Sequence, residues 1–184
     1  MPNANENFLA EVKKRVELQS EDSTLKKIAE NFMSKSHQVK YSYNFSWFGR
    51  PIIQYPQDIV TFQEIVFKVK PTLIIETGIA HGGSLILSAS LLNLLDLMEG
   101  INPKESYRKV IGVDIDIRSH NYKSIKEHPF SNKIQMIQGS SINQDTIYKI
   151  KKEISSYSNI MVCLDSNHTK AHVKSELDLY SEFV

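Results

Sequence analysis

Apolar positions change their spacing twice along the chain. Phe8, Leu9, Val12 and Val16, and then Leu25, Ile28, Ala29 and Phe32, recur at helical spacing. They predict two N-terminal helices, with Ser23 or Thr24 placed to cap the second. From Lys40 to Pro56 the period is lost in the aromatic stretch Tyr41-Ser42-Tyr43-Asn44-Phe45-Ser46-Trp47-Phe48-Gly49-Arg50-Pro51. Its Gly and Pro oppose a continuous helix and predict a covering loop. Ile59, Phe62, Ile65, Val66 and Val69 then share one face of a third helix, expected from about Gln57, with Asp58 in the first turn and Pro71 ending it.

Beyond Pro71, short apolar runs alternate with amphipathic segments. The runs are Leu73 to Glu76, Val110 to Asp114, Ile134 to Gly139 and Ile160 to Leu164, with helices expected from Ser84, from His120 and near Asp145 to Ile154. Such alternation predicts a parallel sheet flanked by helices, a Rossmann-like α/β core. Continuous runs such as Leu-Ile-Ile and Ile-Met-Val-Cys-Leu suit strands covered on both faces, whereas Ile134-Gln135-Met136-Ile137-Gln138 partly alternates, as an outer strand with one wetter face does. The chain therefore divides into N-terminal helices and an aromatic loop over residues 1–70 and a core over residues 71–184.

Composition narrows the partners. The 184 residues, 41% of them hydrophobic, suffice for one domain with a real core. Against 22 Lys and Arg stand 21 Asp and Glu, a net charge of +1, too weak a field to favour nucleic acid or an anionic membrane. The lone Cys163 sits in an apolar run and reads as a core thiol. The polar start, Met1 to Asn7, does not read as a secretory signal, and the run Leu85 to Leu97 is broken by Ser88, Ser90, Asn93 and Asp96 and too short for a membrane span. A cytoplasmic protein is expected.

In an open parallel sheet, ligands bind beyond the carboxyl ends of the strands. The first ending is Glu76-Thr77-Gly78-Ile79-Ala80-His81-Gly82-Gly83-Ser84. Gly78, Gly82 and Gly83 allow backbone to approach a ligand closely, and Ser84 is placed to cap the helix that follows. The spacing is not Gly-x-Gly-x-x-Gly, and a carboxylate at Glu76 would repel a pyrophosphate while suiting an ammonium. A plain structural turn is the alternative. Asp114, at the second ending, is placed to accept ribose hydroxyls, although it and Asp116 also read as turn residues. Gly139-Ser140-Ser141 offers hydrogen bonds to a base edge, or a helix cap from Ser140 or Ser141. The fourth ending, Asp165-Ser166-Asn167-His168, could supply a carboxylate for a divalent ion and an imidazole base, or a surface histidine. His168 and His172 have the spacing of one helical turn, but no Glu or Cys completes a zinc motif.

Taken in order, Trp47 to Asp58, Glu76 to Ser84, Ile111 to Arg118, His128-Pro129, Gln138 to Ser141 and Leu164 to Thr169 make the chain similar to the cephalosporin hydroxylase and rhamnosyl O-methyltransferase family. The resemblance implies a class I methyltransferase fold and S-adenosylmethionine held by Glu76, Gly78, Gly82, Gly83, Ser84, Asp114, Ser140 and Asp165. It also implies Mg2+ with Asp165 as its first acidic ligand, and a Trp47 to Asp58 segment that lines or covers the cleft. Family members carry three more strands and further acidic ligands, so the chain is expected to be truncated, with Ile160 to Leu164 as an apolar sheet edge.

The expected function is O-methyl transfer to a hydroxyl of a small molecule or sugar, with His168 and Asp165 as the catalytic pair and a homo-oligomer as the working form. The alternative from another class is a cofactor-binding or assembly protein without turnover. A nicotinamide oxidoreductase is disfavoured by Glu76 and the loop spacing. Hydroxylation lacks a facial triad for iron.

Overall fold

The computed structural model describes residues 4–184. Met1 to Asn3, part of the polar start that does not read as a secretory signal, lie outside them. The chain parts into two compact units, residues 1–42 and 43–184.

The first unit holds α1 (Ala4–Glu21) and α2 (Ser23–Gln38). Asp22, rather than Ser23 or Thr24, caps α2, its Oδ1 accepting from the amides of Thr24 and Leu25 at 2.9 Å each. A carboxylate one residue earlier satisfies the exposed amides of the first turn, leaving both hydroxyl residues inside the helix.

The stretch expected to be an irregular loop folds into a 3-10 turn at Tyr41–Asn44, which runs across the boundary at residue 42, and then, in the second unit, a small hairpin, β1 (Phe45–Trp47) with β2 (Arg50–Ile52). Phe48 and Gly49 turn the chain with φ of 43° and 82°. The Gly-Pro punctuation thus marks a two-residue turn and the entry to an outer strand, places where both residue types are tolerated. Helix α3 (Pro56–Val69) has Pro at its start and ends on Lys70 in the left-handed conformation, one residue before Pro71.

The core follows as β3 (Leu73–Thr77), α4 (Gly83–Met98), β4 (Lys109–Asp114), α5 (Ser119–Lys126), β5 (Ile134–Gln138), α6 (Gln144–Ile154), β6 (Ile160–Leu164) and α7 (Lys170–Tyr180). All four core strands are parallel, in the order β5-β4-β3-β6. Strand alternation sends Ile74, Val110 and Ile134 to one face, against Leu85, Leu92 and Val66, and Leu73, Ile75, Ile111 and Val113 to the other, against Ile147, Ile150 and Tyr180. Helices therefore cover both faces. The chain steps outward from β3 to β4 to β5 and then returns to the other side of β3 as β6, so the crevice between β3 and β6 is the topological switch point. Among the described residues β5 and β6 are the edges of this sheet.

The opposite end of the sheet is pinned by a buried ion network. Asp96, fully buried near the end of α4, accepts from Arg108 Nη1 at 2.6 Å, Lys133 Nζ at 2.6 Å and Ser106 Oγ at 2.8 Å. Arg108 leads into β4 and Lys133 into β5, so one carboxylate fixes where both strands begin. Replacing Asp96 with Ala would strand Lys133 without a counter-charge in the interior. Urea unfolding is expected to show a loss of about 3–5 kcal/mol.

Candidate functional site

Alternation along β3 points Glu76 at the α4 face, where it is 4% exposed. Ser84, on the first turn of α4, donates its hydroxyl to Glu76 Oε1 in a short hydrogen bond. Ser84 therefore does not cap α4. The cap position is Gly82 at φ 84°, which offers no side chain, and the first turn of the helix stays open at the head of the loop. Burial pushes the Glu76 carboxyl from an ordinary 4.5 up to about 8; Ser84 pulls against that shift and the nearby Asp165 charge adds to it.

Gly78 occupies the crevice itself. At φ 90°, its missing side chain leaves space that is filled by the backbone carbonyl of Asp165, which a Cβ would strike. The strand ends also interlock through the Gly78 amide to Val113 O at 2.8 Å and the Asp165 amide to Thr77 O at 2.9 Å.

The rest of the loop is held from three sides. Asp114 Oδ2 accepts from the amides of Ile79 at 2.7 Å and Ala80 at 3.3 Å, while Oδ1 accepts from the Asp116 amide at 3.0 Å. Asn121, on α5 and 3% exposed, donates to Ala80 O at 2.9 Å. Arg50, on the hairpin, donates through Nε to His81 O at 3.0 Å and through Nη2 to Asn121 Oδ1 at 3.0 Å. These bonds hold Ala80 at a φ of 45°, a conformation unusual for a residue with a side chain. The hairpin reaches the helix start as well, since a Cβ on Gly83 would strike Pro51 O. Neither Arg50 nor Asn121 stands out in the sequence.

Two clefts flank Asp114. One, about 220 Å³, is lined by Ala80, His81, Asp114, Asp116, Arg118 and Asn121. The other, about 300 Å³, runs from Gly78, Val113, Asp114 and Ile115 past Ser140 and Ser141 to Ser166, Asn167 and His172. Gly78, Asp114 and Ser140 are thus brought together in the larger cleft, whereas Glu76, Gly82, Gly83 and Ser84 line neither. Ser140 and Ser141 do not cap α6; Asn143 does, accepting from the Asp145 amide at 2.8 Å.

Asp165 and His168 form a pair, His168 Nε2 to Asp165 Oδ1 at 3.0 Å, with side chains 59% and 79% exposed and outside the lining of both clefts. Partial burial raises the Asp165 carboxyl above its ordinary range, and the hydrogen bond and charge of His168 oppose that rise. His168 precedes α7 and turns to Asp165, whereas His172 lies within the helix and turns to Ser141 and Ser166. Among the described residues no three His, Cys, Asp or Glu side chains gather as a metal site.

A family model described as rhamnosyl O-methyltransferase/CmcI matches residues 39–184, more than three quarters of the chain. The chain belongs to this family. The matched span begins just before the hairpin and takes in every residue of both clefts. No curated protein sequence matches this family member significantly. Among solved structures, it resembles a Staphylococcus aureus protein assigned as a caffeoyl-CoA O-methyltransferase, at 14% identity over 98% of this chain and 68% of that one, with a TM-score of 0.53. It also resembles a CmcI structure described as a Mg-SAM form, at 18% identity over 74% of this chain and 52% of that one, with a TM-score of 0.50. These likenesses show the fold: a Rossmann-like methyltransferase architecture. A third match, CmcI with SAH, is 16% identical over 72% of this chain and 58% of that one, with a TM-score of 0.47. The family member spans between half and three fifths of the CmcI chains it matches. Among the described residues no helix is long and apolar enough to cross a membrane.

Because Glu76 titrates near 4.5 when unfolded and about 8 when folded, the folded state retains between those values a proton that the unfolded chain has lost. Its contribution to stability is full below the lower value and declines as pH rises toward the upper one. Thermal melts of ligand-free protein across that window are expected to fall more steeply with pH for the wild type than for Glu76→Gln; parallel curves would refute a buried neutral Glu76. Gly78→Ala, which drives a methyl group into Asp165 O, is expected to abolish the cooperative melt of the core or lower its midpoint sharply.

Proposed function

We propose that this protein binds S-adenosylmethionine in the cleft beside Asp114 and transfers its methyl group to a hydroxyl of a small molecule or sugar. The observation that carries the proposal is a buried carboxylate, Glu76, at the foot of a glycine loop on the switch point of a methyltransferase-family fold. Such a floor suits an ammonium group, whose charge favours loss of the Glu76 proton. The CmcI structure described as a Mg-SAM form is consistent with that ligand.

When bound, the cofactor supplies an electrophilic methyl group on a sulfonium. Glu76 gives up its proton and holds the amino group, and the uncapped first turn of α4 faces the neighbouring carboxylate. Asp114, with both oxygens already accepting from backbone, has further lone pairs for ribose hydroxyls. Ser140 lies toward the base end of the larger cleft. Catalysis needs the acceptor oxygen aligned at near-contact distance and losing its proton as it attacks. Asp165 orients His168, and His168 takes that proton.

Asp165 contributes one carboxylate to any divalent ion, and its neighbours do not complete a site, since Asn167 Oδ1 is engaged by the Thr169 amide and Ser166 Oγ by Glu176. Described residues alone do not fit Mg2+, and no step here is routed through it. A cytoplasmic setting and self-association of copies complete the reading.

A second reading, a cofactor-binding protein without turnover, is favoured by the position of the Asp165–His168 pair outside both clefts. Calorimetry with S-adenosylmethionine and mass spectrometry of hydroxylated acceptors separate the two. The proposal expects binding and a methylated product, with Asp114→Ala weakening binding by about tenfold or more and His168→Ala removing product while binding persists. Binding without product from any acceptor supports the second reading. No binding overturns both.

A further inference from the structure

A polar network that shares no hydrogen bond with the Asp165–His168 pair closes one wall of the larger cleft. His172 and Glu176 stand one turn apart on α7. His172 Nε2 lies 3.0 Å from Ser141 Oγ, 3.1 Å from Ser166 Oγ and 3.5 Å from Glu176 Oε1. Ser166 donates to Glu176 Oε1 at 2.6 Å, and Tyr180 donates its hydroxyl to Ser141 O at 3.0 Å. Glu176 and Tyr180 are each 1% exposed.

The network sets its own proton arrangement. Ser166 has one hydroxyl proton, committed to Glu176, so it meets His172 only as an acceptor. That assigns a proton to His172 Nε2, on the side facing Glu176. Glu176 and Tyr180 anchor the network in the interior, where a low dielectric strengthens such bonds, while His172 is partly exposed and Ser166 exposed at the cleft. Three separate segments are joined by it: the connection after β5 through Ser141, the connection after β6 through Ser166, and α7 itself. Ser141, Ser166 and His172 also line the cleft.

We infer that His172 and Glu176 are positioning residues that hold the connections after β5 and β6 at the spacing needed to receive the purine ring of a nucleoside. The inference rests on the methyl-donor reading: with Glu76 at the ammonium and Asp114 at the ribose, the part of the cleft walled by Ser141, Ser166 and His172 receives the base. An apolar corner would hold the segments together with less desolvation, but it would not fix hydroxyl directions or a defined gap.

The test is calorimetry of wild-type protein, His172→Ala, His172→Gln, Tyr180→Phe and Glu76→Gln with two ligands, S-adenosylhomocysteine and adenosine. Wild-type protein is expected to bind both. His172→Ala weakens both by about tenfold, while His172→Gln, whose amide nitrogen reaches the Nε2 position, stays within about threefold of wild type. Glu76→Gln weakens S-adenosylhomocysteine and leaves adenosine unchanged, which separates the two ends of the cleft. Tyr180→Phe keeps the ring in the core and removes only the bond to Ser141, so it tests the network even if His172→Ala fails to fold; about threefold weaker adenosine binding is expected. Unchanged adenosine binding in Tyr180→Phe or His172→Ala, or His172→Gln as weak as the alanine variant, overturns the inference. Wild-type protein that binds neither ligand overturns the methyl-donor reading on which it stands.

Discussion

The ends of β3 and β6 meet with no room for a side chain between them. Gly78 gives its missing Cβ to the carbonyl of Asp165, and this contact is where the sheet reverses its winding. It places the loop after β3 and the connection after β6 in one crevice, and the register of β4 alongside β3 brings Asp114 to the same level. A larger residue at position 78 would separate the strands whose ends form the site. The position of the candidate chemistry follows from the winding and from that close approach.

The loop that leaves the crevice is held by hydrogen bonds as well as by packing. Its amides are taken by Asp114 and its carbonyls by Asn121 and Arg50, so its left-handed turns at Gly78, Ala80 and Gly82 are fixed before a ligand arrives. Preorganisation of this kind reduces the entropy lost on binding. Beneath it, Glu76 is held in the interior beside Ser84, a costly place for a charge unless a cation joins it. Fold and ligand choice are linked at this residue: α4 must cover β3 for the core to form, and that cover makes Glu76 a neutral acid awaiting a positive partner.

The fold was legible in the apolar pattern, because strand runs covered on both faces and helices of period 3.6 are local signals. All four core strands and the partly alternating outer strand β5 lie where that pattern puts them. What it could not show were choices settled by tertiary partners. Ser84 looks like a helix cap and instead turns to Glu76; Ser140 and Ser141 look like caps, and Asn143 takes that role. Asp96 looks like an interruption of an apolar helix, yet it is the buried anchor of Arg108 and Lys133, which are 12 and 37 residues away along the chain. The hairpin at Phe45 to Ile52 was hidden by its Gly and Pro. For the candidate site, the strand-end rule pointed to Glu76, Gly78, Asp114, Ser140 and Asp165; Arg50 was marked only as part of the Trp47 to Asp58 segment, and Asn121 and Glu176 act from helices, where no motif marks them. His172 was visible only as a histidine one turn from another, a spacing that the start of α7 makes irrelevant.

The central claim is that a buried, protonated Glu76 receives the cation of the ligand. Calorimetry of S-adenosylmethionine binding at neutral pH, repeated in buffers of different ionisation enthalpy, measures it directly. The account predicts release of nearly one proton per ligand bound, lost in Glu76→Gln. Binding with no proton released by the wild type would contradict it.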